Sequence, residues 1–300
     1  FGFYFSNLSI AVLYLIAKDS LGSLSSEKAA AAERVANSQL VIQDVKHLGK
    51  TVAAMARFYV EKTKVATFNL NTPEEIIAAY TGGWWRIDRE YRIALENFAL
   101  IDGDSCRAKV EAAKDKFETD AQETFNEMNV AWTNLYSGGA VAGILSQENF
   151  YKKVYDPGVK MAFVISDALR YEVALEVMDR LNAERSSVTM RPGIASLPSE
   201  TKYTKALLLP HSSVQFNIEK PICLDGSKAT VSTADKELIV KNHCSDGVCV
   251  TADMLKSKSQ VEKREIFKHK VVYVFHDTID VSGHDAATGQ DVAKACRNAI

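Results

Sequence analysis

The chain has 300 residues, enough for about two domains of ordinary size. Its composition, 47% hydrophobic and 25% charged, is typical of a globular protein with a buried core. The net charge of −2 gives no support to a nucleic-acid or membrane partner held by global charge. Five scattered cysteines do not form the pattern of a disulfide framework, so we expect a reducing, cytoplasmic setting.

Residues 1–155 carry a helical pattern and no motif that demands chemistry. The uncharged stretch 1–17 is slightly short for a membrane span and lacks the basic flank of a secretion signal. We predict a buried helix there, in a chain whose true N-terminus lies upstream. Apolar residues recur every three or four positions in residues 27–66, as in amphipathic helices. Further helices are predicted from Thr72 to about Thr81-Gly82-Gly83, over residues 84–101 and over residues 106–136.

The segment WWRIDREYRIALENFALI, residues 84–101, is rich in aromatic and charged side chains. Its aromatic residues are predicted to pack between helices rather than to form a ligand cage; they are Trp84, Trp85, Tyr91 and Phe98. Asp88 and Arg92 lie four residues apart, which predicts an ion pair worth at most a few tenths of a kcal/mol.

The pattern changes after the turn signal Asp156-Pro157-Gly158. Continuous apolar strands separated by helices predict a largely parallel sheet covered on both faces, over residues 156–300. The predicted strands are residues 161–166, 188–190 and 271–276, with helices over about 168–183 and from near Gln290, and part of a hairpin at 222–226. Ligands of such sheets bind at the carboxyl ends of the strands.

Asp167 directly follows the first predicted strand. Alone it is most simply a helix cap, because Asp is common just before a helix. The alternative is a carboxylate that holds a ligand together with residues from other segments.

Ser199 and Thr201 lie in a predicted turn that opens a helix. Capping by Ser199 is the simplest interpretation of that segment. A hydroxyl at a helix N-terminus is also well placed to attack phosphorus, because the free amides attract an anion and a bound metal lowers the hydroxyl pKa.

The segment HDTIDVSGHD, residues 276–285, concentrates two histidines and three aspartates after a buried strand. Carboxylate and imidazole suit zinc or manganese, and Gly283 would let the backbone fold so that Asp280 and His284 reach one ion. A polar loop with a tight turn is the alternative. His276 and Asp277 are candidates only for a supporting or structural role.

The order of these segments resembles the alkaline phosphatase superfamily. More closely, ISDALRYEVA, LPSETKYTKALLLPH and VFHDTIDVSGHDAAT resemble the PglZ domain of BREX phage-defence systems, and WWRIDREYR resembles the segment that precedes this domain in type A proteins. The resemblance extends from about residue 70 to the end. It implies an alkaline-phosphatase-like α/β domain over residues 156–300, preceded by a helical region over residues 1–155.

The resemblance also implies a site and a reaction. Asp167 would bind one metal ion, Thr201 would be the nucleophile on that ion, and Asp280 and His284 would bind a second ion. Two divalent ions, zinc or manganese, would serve a phosphohydrolase that acts on DNA or another phosphodiester. We expect other phage-defence proteins as partners, a homo-oligomer as an option, and no membrane partner. The alternative is an inactive scaffold or docking component of the defence complex.

One departure from the superfamily pattern stands out. The superfamily completes its site with an Asp-His pair and a further His on later segments. No such pair appears between the Asp280 motif and Ile300. Thr251-Ala252-Asp253 lies before the Asp280 motif and is not followed by His. We therefore expect a piece of a longer protein that carries half of each metal site. A nucleotide-binding domain is a weaker option, because no glycine-rich phosphate loop follows a predicted strand.

Overall fold

The computed structural model describes residues 2–20, 25–184, 187–217, 220–226, 232–285 and 289–299. The chain divides into two compact units. The helical unit comprises the described residues of 1–137, 170–188 and 285–300, and the sheet unit those of 138–169 and 189–284.

The helices and strands have the following bounds. The helices are α1 (Gly2–Ser20), α2 (Ser26–Asn37), α3 (Gln43–Thr63), α4 (Pro73–Ala79), α5 (Trp85–Ala99), α6 (Asp104–Leu135), α7 (Phe150–Val154), α8 (Tyr171–Ala183), α9 (Thr201–Thr204), α10 (Thr233–His243), α11 (Ala252–Ser257), α12 (Gln260–Ile266), α13 (Thr278–Asp285) and α14 (Gly289–Ala299). The strands are β1 (Leu145–Ser146), β2 (Met161–Ser166), β3 (Gly193–Ile194), β4 (Val214–Asn217), β5 (Lys220–Leu224), β6 (Gly247–Thr251) and β7 (Val271–His276).

The helical unit is built around α3, whose apolar side chains are almost all buried. Phe58 of α3 makes edge-to-face contacts with Phe117 and Phe125 of α6, with ring centroids 5.0 and 6.3 Å apart. The predicted helix at the start of the chain is confirmed as α1, but the prediction that it is buried is wrong for most of its length. Leu13 and Ala17 are buried, whereas its other apolar face is exposed. Among the described residues, no helix is both long enough and apolar enough to cross a membrane.

The predicted break at Thr81-Gly82-Gly83 is wrong. Residues Tyr80–Trp84 form a π-helical turn, so α4 continues into α5 without a loop. The Thr81 hydroxyl donates to the Ile77 carbonyl at 2.8 Å, and the Trp84 ring packs edge-on against Phe68 at 5.0 Å. These contacts keep the segment helical although its two glycines favour a break.

Arg92 of α5 is the centre of a buried charged cluster in the helical unit. Its guanidinium donates to both carboxylate oxygens of Glu172 in α8, at 2.9 and 3.0 Å. It also donates to Glu96 at 3.3 Å and to Glu176. Arg297 of α14 donates to the second oxygen of Glu96. The cluster therefore joins α5, α8 and α14, which are far apart in the sequence.

The predicted ion pair between Asp88 and Arg92 is wrong. Asp88 accepts a hydrogen bond from the Tyr80 hydroxyl, and Arg92 makes its contacts with α8 and Glu96 instead. Burial raises the pKa of Glu172, and the hydrogen bonds from Arg92 only partly oppose that shift. Glu172 thus depends on Arg92 to remain ionised in a buried position.

We expect Arg92→Met to destabilise the chain by about 3–5 kcal/mol, because it leaves Glu172 as an uncompensated buried charge. The raised pKa of Glu172 sets the sign of the pH effect: protonation removes the penalty, so the loss is smaller at about pH 5 than at about pH 8. Urea unfolding at both pH values measures it. Arg34→Met, at an exposed position of α2, is the matched control, and an equal loss in both variants would contradict the prediction.

The sheet unit contains a three-stranded parallel sheet in the order β2-β7-β6. The predicted strands 161–166 and 271–276 are confirmed with the same bounds. The predicted strand 188–190 is wrong, since the chain pairs only at β3, where Gly193 approaches Leu145. The third strand of the sheet, β6, was not predicted.

Helices cover both faces of this sheet, as predicted. One face shares a buried apolar cluster with α10 and the segment after α9, through Phe163, Tyr273 and Phe275. The other face packs against α11 and α12, through Val250, Val272 and Val274. The mixed α/β architecture of the prediction is therefore observed.

The predicted hairpin at 222–226 is confirmed by the antiparallel pair β4–β5. A second turn follows β5 at Asp225, whose φ of +50° lies in the left-handed region. The carboxylate accepts hydrogen bonds from the amides of Ser212 and Ser213 and from His243 Nε2, at 2.9, 2.6 and 2.9 Å. Burial raises the pKa of Asp225, but these hydrogen bonds outweigh burial and lower it to about 2.

A carboxylate with a lowered pKa stabilises the fold above its unfolded pKa of about 3.9 and loses that contribution as the pH falls toward the folded value. We therefore expect the free energy of unfolding to fall between about pH 4 and about pH 2 through Asp225. Asparagine tolerates the positive φ at this position, so the Asp225→Asn variant should fold but lack the pH-dependent contribution of the carboxylate to stability. Urea unfolding against pH measures the difference, and Asp253→Asn, at an exposed aspartate, is the control. Identical acid profiles for wild type and Asp225→Asn would contradict the assignment.

Candidate functional site at the carboxyl edge of the sheet

Asp167 lies at the carboxyl end of β2 and is not a helix cap. Its amide donates to the His276 carbonyl at 2.9 Å, which extends the pairing of β2 with β7 by one residue. Ala168 then takes a φ of +57°, and α8 begins only at Tyr171, with Arg170 as its N-cap. The predicted capping role of Asp167 is therefore wrong, because the turn separates it from the helix.

Lys205 contacts the two aspartates that follow β2 and β7. Its ammonium donates to Asp167 Oδ2 at 3.1 Å and to Asp277 Oδ1. Only 12% of the Lys205 side chain and 17% of the Asp167 side chain are exposed, so these ion pairs are partly shielded from water. Burial lowers the pKa of Lys205, but the hydrogen bonds to Asp277 and Asp167 outweigh it and raise the pKa above its usual value.

Thr201 is the first residue of α9, and the chain continues as a 3₁₀ turn from Lys205 to Leu208. The predicted capping by Ser199 is wrong by one residue, since Glu200 occupies the N-cap position and makes no side-chain cap. Thr201 is exposed. Because Thr201 and Lys205 lie four residues apart, they are separated by about one helical turn.

Asp280 and His284 lie on one face of α13, and the imidazole Nε2 is 3.6 Å from a carboxylate oxygen of Asp280. The sequence predicted either a backbone bend at Gly283 or a polar loop with a tight turn. Both predictions are wrong, because Gly283 lies inside the helix. The i,i+4 spacing of a helix brings the two side chains together. His284 is 79% exposed and Asp280 26% exposed.

His276 and Asp277 have different partners. The register of β2 and β7 pairs Ser166 with His276, and the Ser166 hydroxyl lies 2.9 Å from His276 Nδ1. Asp277 binds Lys205. His276 therefore supports the end of the sheet, and Asp277 belongs to the charged group around Lys205.

Lys205 was missed by the sequence analysis, although it connects the three segments that carried the predicted site. It contacts the aspartate after β2, contacts the aspartate after β7, and lies one turn beyond Thr201. The available signal was the spacing of TKYTK, which places a lysine on the same turn as the candidate nucleophile.

The donor atoms present suit divalent ions. Carboxylate and imidazole at Asp280 and His284 are ligand types that zinc and manganese accept. Asp167 already binds a cationic group, the Lys205 ammonium. In the part of the chain that the structure describes, no three His, Cys, Asp or Glu side chains converge as a metal site. The ligand roles of Asp167, Thr201, Asp280 and His284 remain predictions.

Comparison with known proteins identifies the family. Residues 148–300 match the family described as the BREX system PglZ alkaline phosphatase-like domain. The chain belongs to this PglZ family. The matched range contains Asp167, Thr201, Asp280 and His284, so the predicted relationship is confirmed over all three segments.

Two curated relatives give the same result. The chain is 32% identical over 241 residues to the alkaline phosphatase-like protein PglZ of Bacillus cereus (strain H3081.97), covering 76% of this chain and 28% of the relative. It is 30% identical over 239 residues to the alkaline phosphatase-like protein BrxZ of Escherichia coli O9:H4 (strain HS), covering 74% of this chain and 27% of the relative. The matched segment thus spans little more than a quarter of each relative. No solved structure matches the chain significantly.

We expect Lys205→Met to lower the unfolding temperature in metal-free buffer, by a stability loss of about 1–3 kcal/mol, because Asp167 and Asp277 lose their cation. Manganese should then raise the unfolding temperature more in the variant than in the wild type, because the carboxylates no longer bind an ammonium. Thermal unfolding with and without MnCl₂ measures both effects.

Lys268→Met is the control for this experiment, because Lys268 pairs with Glu265 at an exposed position. Manganese shifts of equal size in wild type and Lys205→Met would show that Lys205 does not compete with a divalent ion.

Proposed function

We propose that the chain is part of a metal-dependent phosphohydrolase that acts on phosphodiesters, DNA among them. Lys205 carries the proposal, because its two ion pairs connect the segments of Asp167, Thr201 and Asp280 at one edge of the sheet. Ligands of parallel α/β sheets bind at this edge. Membership of the PglZ family supports the same chemistry, since the matched domain is described as alkaline phosphatase-like.

Each predicted residue has a role in this proposal. Asp167 and Thr201 would hold one divalent ion, and Asp280 and His284 a second, with zinc and manganese both suited to the donors. When bound, the two ions supply positive charge to the oxygens around phosphorus. The Thr201 hydroxyl would attack phosphorus and form a new P–O bond while the bond to the leaving oxygen on the opposite side breaks, and the hydroxyl proton would pass through solvent to that oxygen. Water would then hydrolyse the phosphothreonine, which restores the hydroxyl and releases the phosphate product. Lys205 holds Asp167 in place beside the nucleophile segment.

Membership of the PglZ family supports a proposal about the setting. We place the protein in the cytoplasm, as a component of a BREX system that acts with other defence proteins against phage. Self-association into a homo-oligomer is part of this proposal. The helical unit, which carries no predicted catalytic residue, would be available for such contacts.

We expect Thr201→Ala and Asp280→Ala to lower the hydrolysis of bis-p-nitrophenyl phosphate by about 100-fold or more, because one removes the nucleophile and the other a metal ligand. The rate is measured in the whole protein with added zinc or manganese. Thr201→Ser should keep a substantial part of the activity, since the hydroxyl remains.

The matched controls are Ser199→Ala, a neighbouring hydroxyl outside the proposed machinery, and Asp253→Ala, an exposed aspartate of the sheet unit. Both should retain the wild-type rate. Wild-type activity in both Thr201→Ala and Asp280→Ala would sink the catalytic assignment.

A second candidate function is an inactive scaffold of the defence complex. Two observations favour it: the ammonium of Lys205 is bound to Asp167, and no three-residue metal group is found among the described residues. Metal analysis of the whole protein separates the two functions. A metal-free protein that binds its partners equally well with Asp167→Ala and His284→Ala would favour the scaffold.

A further inference from the structure

A second lysine, Lys236, lies beside the group formed by Lys205, Asp167 and Asp277. It belongs to the first turns of α10, and its ammonium is 4.5 Å from the centre of the Phe275 ring. The Lys205 ammonium is 5.9 Å from the same ring. Phe275 is the residue before His276 at the end of β7. Both lysines therefore approach the carboxyl edge of the sheet from the face covered by α10.

The two lysines differ in their hydrogen bonds. Lys205 is satisfied by Asp167 and Asp277. The ammonium of Lys236, in contrast, makes no hydrogen bond or ion pair with any residue that the structure describes, and the aromatic ring that it approaches is that of Phe275. An ammonium has three N–H donors, and an aromatic face only partly compensates for lost hydration.

Lys236 is close enough to the charged side chains of the proposed site for them to affect its pKa. Burial and the nearby Lys205 lower the pKa of Lys236, while Asp277 and Asp167 act in the opposite direction. The four charged side chains sum to zero, from two lysines and two aspartates. An incoming anion would thus meet no net negative charge, and Lys236 is the cation whose ammonium donors bind no acceptor among the described residues.

The start of α10 does not compete for this role. Ser232 and Asp235 form a capping box that uses the amides of these two residues, and the Asp235 carboxylate places a negative charge at this end of the helix. The anion would therefore be bound by the side chain of Lys236 and not by the helix N-terminus.

We propose that Lys236 binds the phosphate group of the substrate, as a positioning residue at the carboxyl edge of the sheet. This inference rests on the proposed phosphohydrolase function for the identity of the anion. The ammonium donates to a non-bridging oxygen of the phosphate, and Phe275 fixes the height of the ammonium above β7. Charge-assisted hydrogen bonds of this type are among the stronger polar contacts in proteins.

The test is binding of inorganic phosphate to the whole protein in a metal-free buffer, followed by isothermal titration calorimetry. We expect saturable binding in the millimolar range for the wild type. Lys236→Met should weaken it about tenfold or more, because one charge-assisted hydrogen bond is lost. Lys236→Arg, which keeps the charge, should stay within about threefold of the wild type.

Lys241→Met is the matched control, since Lys241 lies on the same helix and pairs with Glu237. It should leave phosphate binding unchanged. Thermal unfolding of Lys236→Met should match the wild type or exceed it, because the lysine removed has no described ion-pair partner.

Three outcomes would overturn the inference: no saturable binding by the wild type, unchanged affinity in Lys236→Met, or an equal loss in Lys241→Met. Hydrolysis of a phosphodiester is measured in a separate experiment. A protein that binds phosphate through Lys236 but hydrolyses no phosphodiester with zinc or manganese would contradict the proposed function and leave the phosphate site standing.

Discussion

The candidate site depends on one partly buried ammonium shared by two carboxylates. Without Lys205, Asp167 and Asp277 would place two negative charges at the ends of neighbouring strands, and the Asp167 carboxylate is largely shielded from water. Such a pair repels itself unless a cation lies between them. The fold supplies this cation from a third segment, one helical turn after Thr201. The same contact therefore offsets part of the negative charge at the sheet edge and fixes the segment of Thr201 relative to both strands.

The two units of the chain are interwoven along the sequence. α8 follows the Asp167 turn and α14 follows α13, yet both helices pack in the helical unit, where Arg92 contacts Glu172 and Arg297 contacts Glu96. The chain therefore leaves the sheet unit after each acidic segment of the candidate site. The helical unit includes α8 and α14 from later in the chain, so separate expression of residues 1–137 would lack two of its helices.

Sequence patterns predicted the parts of the fold whose periodicity is strong. The central strands MAFVIS and VVYVFH were found because buried parallel strands are continuously apolar. β6 was missed because GVCVT is short and begins with glycine.

Long-range contacts were also missed. Arg92 was assigned to its neighbour Asp88, whereas its partner Glu172 lies 80 residues away, and no local pattern reports such a pair. Lys205 escaped attention for the same reason. Asp280 and His284 were predicted to lie close together and do, but the helix that brings them together was taken for a turn.

The π-helical turn at Tyr80–Trp84 has a consequence for how this chain tolerates insertion and deletion. A π turn holds one residue more than an α turn, and each residue of an α-helix rotates the following side chains by about 100°. Deleting Gly82 would restore a regular helix at little local cost, since a Cβ at this position would contact nothing and the hydrogen bond that the Gly82 carbonyl accepts from Arg86 is exposed. It would, however, rotate α5 against α4 by that angle. Either the apolar side chains of α4 or the buried face of α5 would then be turned toward solvent. The apparent irregularity thus sets the angular phase between two helices, and the length of this short segment is under tighter constraint than its composition.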